Sequence, residues 1–157
     1  MNKIIFLDID GVLNSINWYM TRGDNRHDRE GDEFDPLAVK RLNEITMSTN
    51  SDIVISSCWR LLHTHDDLKR IFNIVGIKGN IIGKTAYLMH DEFRIPRGIE
   101  IQHWLKLTKW ENQYVIIDDS SDMLYEQKDN FVHTDVQTGL TELDVIRAKD
   151  ILNRGII

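Results

Sequence analysis

Five short runs of apolar, mostly β-branched residues constrain the fold of this chain more than any other feature. They lie at residues 3–9, 52–57, 80–83, 114–118 and 130–134. A continuous apolar run of this length is typical of a strand that is covered on both faces in a parallel sheet. We therefore predict a central, mostly parallel sheet of about five strands.

The segments between these runs predict helices. They cover residues 36–48, 64–76, 97–109 and 141–153, whereas the polar and charged segment 21–35 predicts an exposed loop. In the last helix the residues predicted to face inward are Val145, Ile146, Ile151 and Leu152. Asp35 before Pro36 is an N-cap followed by a first-turn proline, and the "THDD" at 64–67 resembles a capping box. Strands that alternate with helices need right-handed crossovers, so helices cover both faces of the sheet. The prediction is a three-layer, Rossmann-like α/β fold whose ligands bind beyond the carboxyl ends of the strands.

Length and composition limit the alternatives. The 157 residues suit a single domain over 1–157, and the formal charge of −6 argues against nonspecific nucleic-acid binding. Cys58 is the only cysteine, which excludes an internal disulfide and favours the cytoplasm. We expect it to be a small buried hydrophobe. No apolar run approaches the ~18 residues of a membrane span, so no membrane partner is predicted.

Three of the predicted strands end in polar side chains that can carry chemistry. They are Asp8 and Asp10 after the first strand, Ser56 and Ser57 after the second, and Asp118 and Asp119 after the fourth. If the strands are parallel, these ends converge on one edge of the sheet. Four carboxylates brought together repel one another unless a cation lies between them. An all-oxygen ligand set favours Mg²⁺.

Magnesium beside a carboxylate suits phosphoryl transfer. The ion neutralises phosphate charge, and an aspartate can attack phosphorus to form an aspartyl-phosphate. Asp10, two positions after Asp8, can supply the proton that the leaving group needs. Gly11 allows the chain to make a turn, and this turn directs backbone N–H groups toward the phosphate.

The segment "DIDGVLN" (8–14) resembles the DxDG(T/V)L signature of the haloacid dehalogenase-like (HAD) phosphohydrolases. The later family motifs follow in order, and the resemblance covers residues 3 to about 135. Within this superfamily, "SSCWR", "RGIEIQHWL", "VIIDDSSDM" and "TDVQTGLTELDV" most resemble the HAD domains associated with RNA-repair proteins. The resemblance implies a nucleotide or polynucleotide-end phosphate as the substrate.

The resemblance also implies roles for the motif residues. Asp8 would be the nucleophile and a metal ligand. Asp10 would be the general acid/base, and its backbone carbonyl would also contact Mg²⁺. Ser56 would hydrogen-bond the phosphoryl oxygens, with Ser57 assisting.

Two assignments stay open in the sequence. Asp119 is preferred as the direct metal ligand and Asp118 as its partner, but one sequence does not separate them. The family also requires a lysine or arginine that stabilises the transferring phosphoryl group. Arg97, just before the helix that leads to the fourth strand, is preferred over Lys84 in "GKT".

The residues around the motifs predict an open site. The family inserts a mobile cap at the place of residues 14–35, and this segment is too short for more than a flap or loop. An open site suits a bulky substrate such as a nucleic-acid end, and a phosphorylated small molecule is also compatible. Alternatively, an oligomeric partner such as a second copy of the chain covers the site. Trp59 is expected to pack at the domain edge. Arg60 is expected either to form an ion pair there or to bind the substrate.

Three functions are compatible with these residues. The preferred one is a Mg²⁺-dependent phosphomonoesterase that acts through an aspartyl-phosphate. A non-hydrolytic phospho-acceptor or nucleotide-binding module would use the same acidic pocket, but it has no need of Asp10. A metal-dependent nuclease would hold two ions between the carboxylates, whereas Gly11 and Ser56 favour monoester chemistry.

Overall fold

The computed structural model describes residues 2–22 and 30–154. The strands are β1 Lys3–Leu7, β2 Ser51–Ile55, β3 Ile81–Lys84, β4 Met89–His90, β5 Phe93–Arg94, β6 Tyr114–Asp118 and β7 Phe131–His133. The helices are α1 Ile16–Arg22, α2 Pro36–Thr49, α3 Trp59–Leu62, α4 His65–Val75, α5 Arg97–Thr108 and α6 Glu142–Leu152. A 3-10 helix spans Tyr125–Asn130.

Five strands form one parallel sheet in the order β3-β2-β1-β6-β7. The chain runs from β1 outward through β2 and β3 and then resumes on the other side of β1 with β6 and β7. The order therefore reverses between β1 and β6, and ligands of such sheets bind at this switch point. Leu7 of β1 is level with Ile55 of β2 and Ile117 of β6. The residues that follow these three positions emerge side by side.

Helices cover both faces of the sheet, and alternate side chains of each strand fill two buried clusters. Ile5 and Leu7 face the cluster made with α2, α4 and α6. Ile4 and Phe6 face the other cluster, to which α5 contributes Ile101. The three-layer α/β fold predicted from the sequence is confirmed.

Local signals start and end several helices as predicted. The Asp35 carboxylate accepts a hydrogen bond from the Leu37 backbone at 2.8 Å. Thr64 and Asp67 form a reciprocal capping box before α4. Gly76 ends that helix in the left-handed conformation with φ of 79°, which a glycine adopts without steric cost.

Several sequence expectations were wrong in detail. Helix α1 continues to Arg22, inside the segment 21–35 that was predicted to be a loop, and the middle of the predicted flap lies outside the described residues. Ile146 was predicted to face inward but is exposed, because α6 turns Val145 and Ala148 toward the sheet instead. Cys58 is exposed rather than buried. None of the helices in the described ranges has the length and apolar character needed to cross a membrane.

Candidate active site

Carboxylates from the two central strands meet at the switch point. Asp8 directly follows β1, and Asp118 is the last residue of β6. One carboxylate oxygen from each of Asp8, Asp118 and Asp119 lies within 4.8 Å of the others. Asp8 and Asp118 are buried and Asp119 is partly exposed, so the cluster opens toward solvent on one side.

Gly11 makes the close approach of the first motif to Asp119 possible. Its φ is +74°, and a Cβ added there would lie 2.3 Å from the Asp119 Oδ2 atom. Any other residue would displace that carboxylate and strain the turn. The Gly11 N–H donates to the Asn14 Oδ1 atom at 3.0 Å, so in this structure it stabilises the turn.

Arg97 places a guanidinium group directly against the acids. Its Nη1 atom lies 3.8 Å from Asp8 Oδ1 and 3.5 Å from Asp118 Oδ2. Its side chain is buried, and its backbone N–H donates to Asp122 Oδ2 at 2.9 Å, which ties the start of α5 to the loop after β6. Burial alone would lower the pKa of Arg97, but the charges of Asp8 and Asp118 raise it.

Lys84 does not reach the acids in the same way. It is exposed, and its Nζ atom donates to the Arg60 carbonyl oxygen at 3.2 Å. Among the two candidates for the basic residue, Arg97 is therefore the one that the fold brings to the carboxylates.

The two serines after β2 have different surroundings. Ser57 is fully buried, and its hydroxyl lowers the pKa of the nearby Asp8 carboxyl, against the larger effect of burial. Ser56 is also fully buried, and no hydrogen-bond partner for its Oγ atom lies among the described residues. Ser57 thus lies beside the predicted nucleophile, and the roles assigned to the two serines stay predictions.

Arg60 is buried in an ion pair behind the site. Its Nη2 atom lies 2.6 Å from Glu100 Oε2, and Nη1 donates to the Ser57 carbonyl oxygen at 2.6 Å. The other Glu100 oxygen accepts from the Leu88 backbone at 2.9 Å. The pair therefore connects the segment after β2 with the helix that carries Arg97, and it leaves the Arg60 guanidinium turned away from solvent.

The sequence reasoning missed Glu100, and it also missed Asn14, although both lie inside the quoted motifs. Glu100 lies one turn after Arg97 on α5, and its partner is 40 residues away in the sequence. A single sequence carries no signal for such a long-range pair.

Asn14 is the last residue of "DIDGVLN" and binds both Gly11 and Asp10. An Asn three residues after a turn glycine is the local signal that could have identified it.

The carboxylates of the cluster favour a proton or a cation. Burial and the charge of Asp8 raise the pKa of Asp118 to about 8. Burial also raises the pKa of Asp8. The pKa of Asp119 is raised mainly by burial and, to a smaller extent, by the charge of Asp8. One arginine does not neutralise three acids, because each pKa stays raised in its presence.

The donor set fits a hard divalent ion. Asp118 Oδ2 is buried and has no hydrogen bond from any described residue, although it pairs with Arg97. Such an unsatisfied buried oxygen is costly unless a cation binds it. Carboxylate oxygens of Asp8, Asp118 and Asp119 are the ligands that Mg²⁺ prefers, and no His or Cys belongs to the cluster.

These pKa shifts predict how the stability of the metal-free protein depends on pH. The pKa of Asp118 is about 8 in the folded state against an ordinary value of 3.8. The folded state therefore holds this proton more tightly, and the resulting stability is complete below about pH 4 and lost as the pH rises through 8. Each pKa unit corresponds to about 1.4 kcal/mol, so the total loss is on the order of a few kcal/mol.

Thermal melts in chelator between pH 6 and pH 9 test this prediction. The melting temperature of the wild type should fall with rising pH, and that of Asp118→Asn should fall much less. Mg²⁺ should raise the melting temperature more at pH 9 than at pH 6, because it binds the ionised acids. Parallel pH profiles for the wild type and Asp118→Asn would contradict the assignment.

A parallel α/β sheet with an aspartate cluster at its switch point is the architecture of a HAD-like domain. The family model described as "HAD domain in Swiss Army Knife RNA repair proteins" matches residues 4–145. This match spans most of the chain, and the chain belongs to that family. A search of curated proteins found no match. Membership of the HAD domains indicates a hydrolase of the phosphatase type that uses a divalent metal, and the Asp cluster is suited to hold one.

Proposed function

We propose that this protein is a Mg²⁺-dependent phosphomonoesterase that acts through an aspartyl-phosphate at Asp8. The observation that carries the proposal is the position of the Asp8 carboxylate, beside both the Arg97 guanidinium and the acids at the end of β6. A nucleophile, a phosphate-stabilising cation and a set of metal ligands are the parts that phosphoryl transfer requires. Mg²⁺ held by Asp8, Asp118 and Asp119 would supply charge neutralisation for the phosphate.

The residues support a reaction in two displacements. In the first, a carboxylate oxygen of Asp8 bonds to phosphorus, the bond from phosphorus to the leaving oxygen breaks, and Asp10 gives that oxygen a proton. In the second, Asp10 takes a proton from water while the water oxygen bonds to phosphorus. The Asp8–phosphorus bond then breaks and releases inorganic phosphate. Arg97 stabilises the charge on the phosphoryl oxygens in both steps.

The substrate class that we propose is a phosphate on a nucleotide or on a nucleic-acid end. The family description names RNA repair, and repair of a broken strand requires that terminal phosphates be removed or exchanged. A flap as short as the one predicted from the sequence would leave room for a polymer end. We propose a cytoplasmic location because the single cysteine suits a reducing compartment.

A phosphatase screen with Mg²⁺ tests this function. It compares nucleotides, 3′- and 5′-phosphorylated oligonucleotides, sugar phosphates and phosphopeptides, with Asp8→Asn as the blank. The proposal expects release of inorganic phosphate with the highest kcat/KM on nucleotides or oligonucleotide ends. Stable phosphorylation of the protein without release would support a phospho-acceptor module, and cleavage of internal phosphodiesters would support a nuclease.

The choice between Arg97 and Lys84 can be tested by a matched pair of variants. Arg97→Ala removes the cation that lies 3.8 Å from Asp8 and 3.5 Å from Asp118. We expect kcat/KM to fall by roughly 10²–10³-fold, the size found when one transition-state donor is removed. Lys84→Ala removes a lysine that binds a backbone carbonyl, and we expect a change of less than about threefold. The reverse order would assign the basic role to Lys84.

A further inference from the structure

Two neutral donors bind the carboxylate of Asp10. The indole Nε1 of Trp59 donates to both Asp10 oxygens, at 3.2 Å and 3.1 Å. The Asn14 side-chain amide donates to Asp10 Oδ1 at 2.9 Å. Asp10 is exposed, so without these contacts its side chain would be free to rotate. The hydrogen bonds from these two residues therefore give the exposed carboxylate a defined orientation.

The core of the domain holds Trp59 in place. Its ring packs edge-on against the buried Phe34 with centroids 5.3 Å apart. It also packs against His63 in a tilted arrangement with centroids 5.2 Å apart. Phe34 in turn packs against Phe72 of α4 at 6.3 Å. The Trp59 backbone N–H donates to Ser57 Oγ at 3.3 Å, and the same hydroxyl affects the pKa of Asp8. The residue that binds Asp10 is thus hydrogen-bonded to a serine beside the predicted nucleophile.

Asn14 is also held in place, by burial and by hydrogen bonds at both ends of its side chain. It is buried, and its amide oxygen accepts the Gly11 N–H at 3.0 Å while its nitrogen donates to Asp10. Both ends of the side chain are therefore used inside the first motif. A carboxylate has about four lone-pair sites, so three contacts leave one site on Asp10 that can carry the proton donated to the leaving-group oxygen.

We propose that Trp59 and Asn14 are positioning residues that orient Asp10 for proton transfer to the leaving group. This inference rests on the proposed phosphatase function and extends it to a residue that the sequence suggested was only packing. The donors are neutral, so they set the direction of the carboxylate without adding a charge beside it. Geometry decides how well a general acid works, since proton transfer needs the acid within hydrogen-bond reach of the reacting oxygen.

The leaving group provides the test of this role. An alkyl phosphate releases an alkoxide that needs a proton, whereas p-nitrophenyl phosphate releases a stable anion that does not. Trp59→Phe keeps an aromatic ring against Phe34 and removes the indole N–H. We expect it to lower kcat/KM on an alkyl phosphate, which reports the first displacement, by about 10-fold or more, up to the 10²–10⁴-fold that general acid catalysis supplies. On p-nitrophenyl phosphate the change in kcat/KM should stay below about threefold, and Trp110→Phe, an indole of the opposite sheet face, should change neither value.

A double-mutant cycle separates positioning from general structural damage. In an Asp10→Asn background, Trp59→Phe should cause no further loss on the alkyl phosphate, because its effect passes through Asp10. Equal losses on both substrates, losses that add in the double variant, or no loss at all would each overturn the inference. If Trp59→Phe fails to fold, judged by a thermal melt, Asn14→Ala is measured in the same way with the same criteria. Asp8→Asn is the separate control. If Asp8→Asn retained turnover, the proposed function would fail. If Asp8→Asn is inactive and Trp59→Phe slows the reaction of both substrates equally, only this inference fails.

Discussion

Replacing Asp8 by Asn should abolish phosphate release. The amide is nearly the same size as the carboxylate but lacks the anionic oxygen that attacks phosphorus. Removal of a covalent nucleophile costs enzymes several orders of magnitude in kcat, and we expect at least about 10⁴-fold here. The assay is steady-state release of inorganic phosphate with saturating Mg²⁺ and the best substrate of the screen.

The same variant should not unfold the protein. The charge of Asp8 raises the pKa of Asp118 and of Asp119, so removal of that charge relieves repulsion among the acids. We expect the metal-free Asp8→Asn variant to melt at the same temperature as the wild type or above it near pH 8. A fall in the melting temperature together with the loss of activity would mean that Asp8 supports the fold and would remove the case for a nucleophile.

Replacing Glu100 by Ala should produce the largest loss of stability. The side chains of Arg60 and Glu100 are 1% and 0% exposed, and their charged atoms are 2.6 Å apart. Removal of one partner leaves a buried, unpaired guanidinium, which costs about 3–5 kcal/mol. For a domain of this size the melting temperature should fall by roughly 6–20 °C. Glu100→Gln keeps an acceptor for Leu88 and should fall between the wild type and Glu100→Ala.

A surface ion pair is the matched control for Glu100. Lys149 and Glu44 are 3.0 Å apart, but the Glu44 side chain is 58% exposed. Exposed pairs contribute less than about 1 kcal/mol, so Glu44→Ala should change the melting temperature by a few degrees at most. If thermal melts gave equal shifts for Glu44→Ala and Glu100→Ala, the buried pair would not stabilise the domain as its geometry indicates.

The features that depend on local sequence were predictable. The apolar runs specify the five strands, and the three central ones, β1, β2 and β6, are covered on both faces. The caps at Asp35, Thr64 and Gly76 follow from side chains within a few residues. The meeting of Asp8 with Asp118 was also accessible, since parallel strands end at the same edge. Recognition of the HAD-like family came from the order of the motifs along the chain.

The features that depend on packing between distant segments were not predictable. Ser57, rather than Ser56, affects the pKa of Asp8, and one sequence does not specify the turn that places the two serines. The Arg60–Glu100 ion pair joins residues 40 positions apart in the sequence. The hydrogen bond from Trp59 to Asp10 joins residues 49 positions apart. Helix α3 and the hairpin of β4 and β5 are too short for any periodicity to show. Only the fold shows that Arg97 lies beside the carboxylates, whereas Lys84 binds a backbone carbonyl.

The stereochemical course at phosphorus tests the central claim most directly. Transfer of phosphate first to Asp8 and then to water involves two displacements, and each inverts the configuration of phosphorus. A phosphate monoester made chiral with oxygen isotopes should therefore yield a product with net retention when the reaction runs with a suitable acceptor alcohol in place of water. Net inversion would show a single displacement in which Asp8 never bonds to phosphorus, and it would contradict the account.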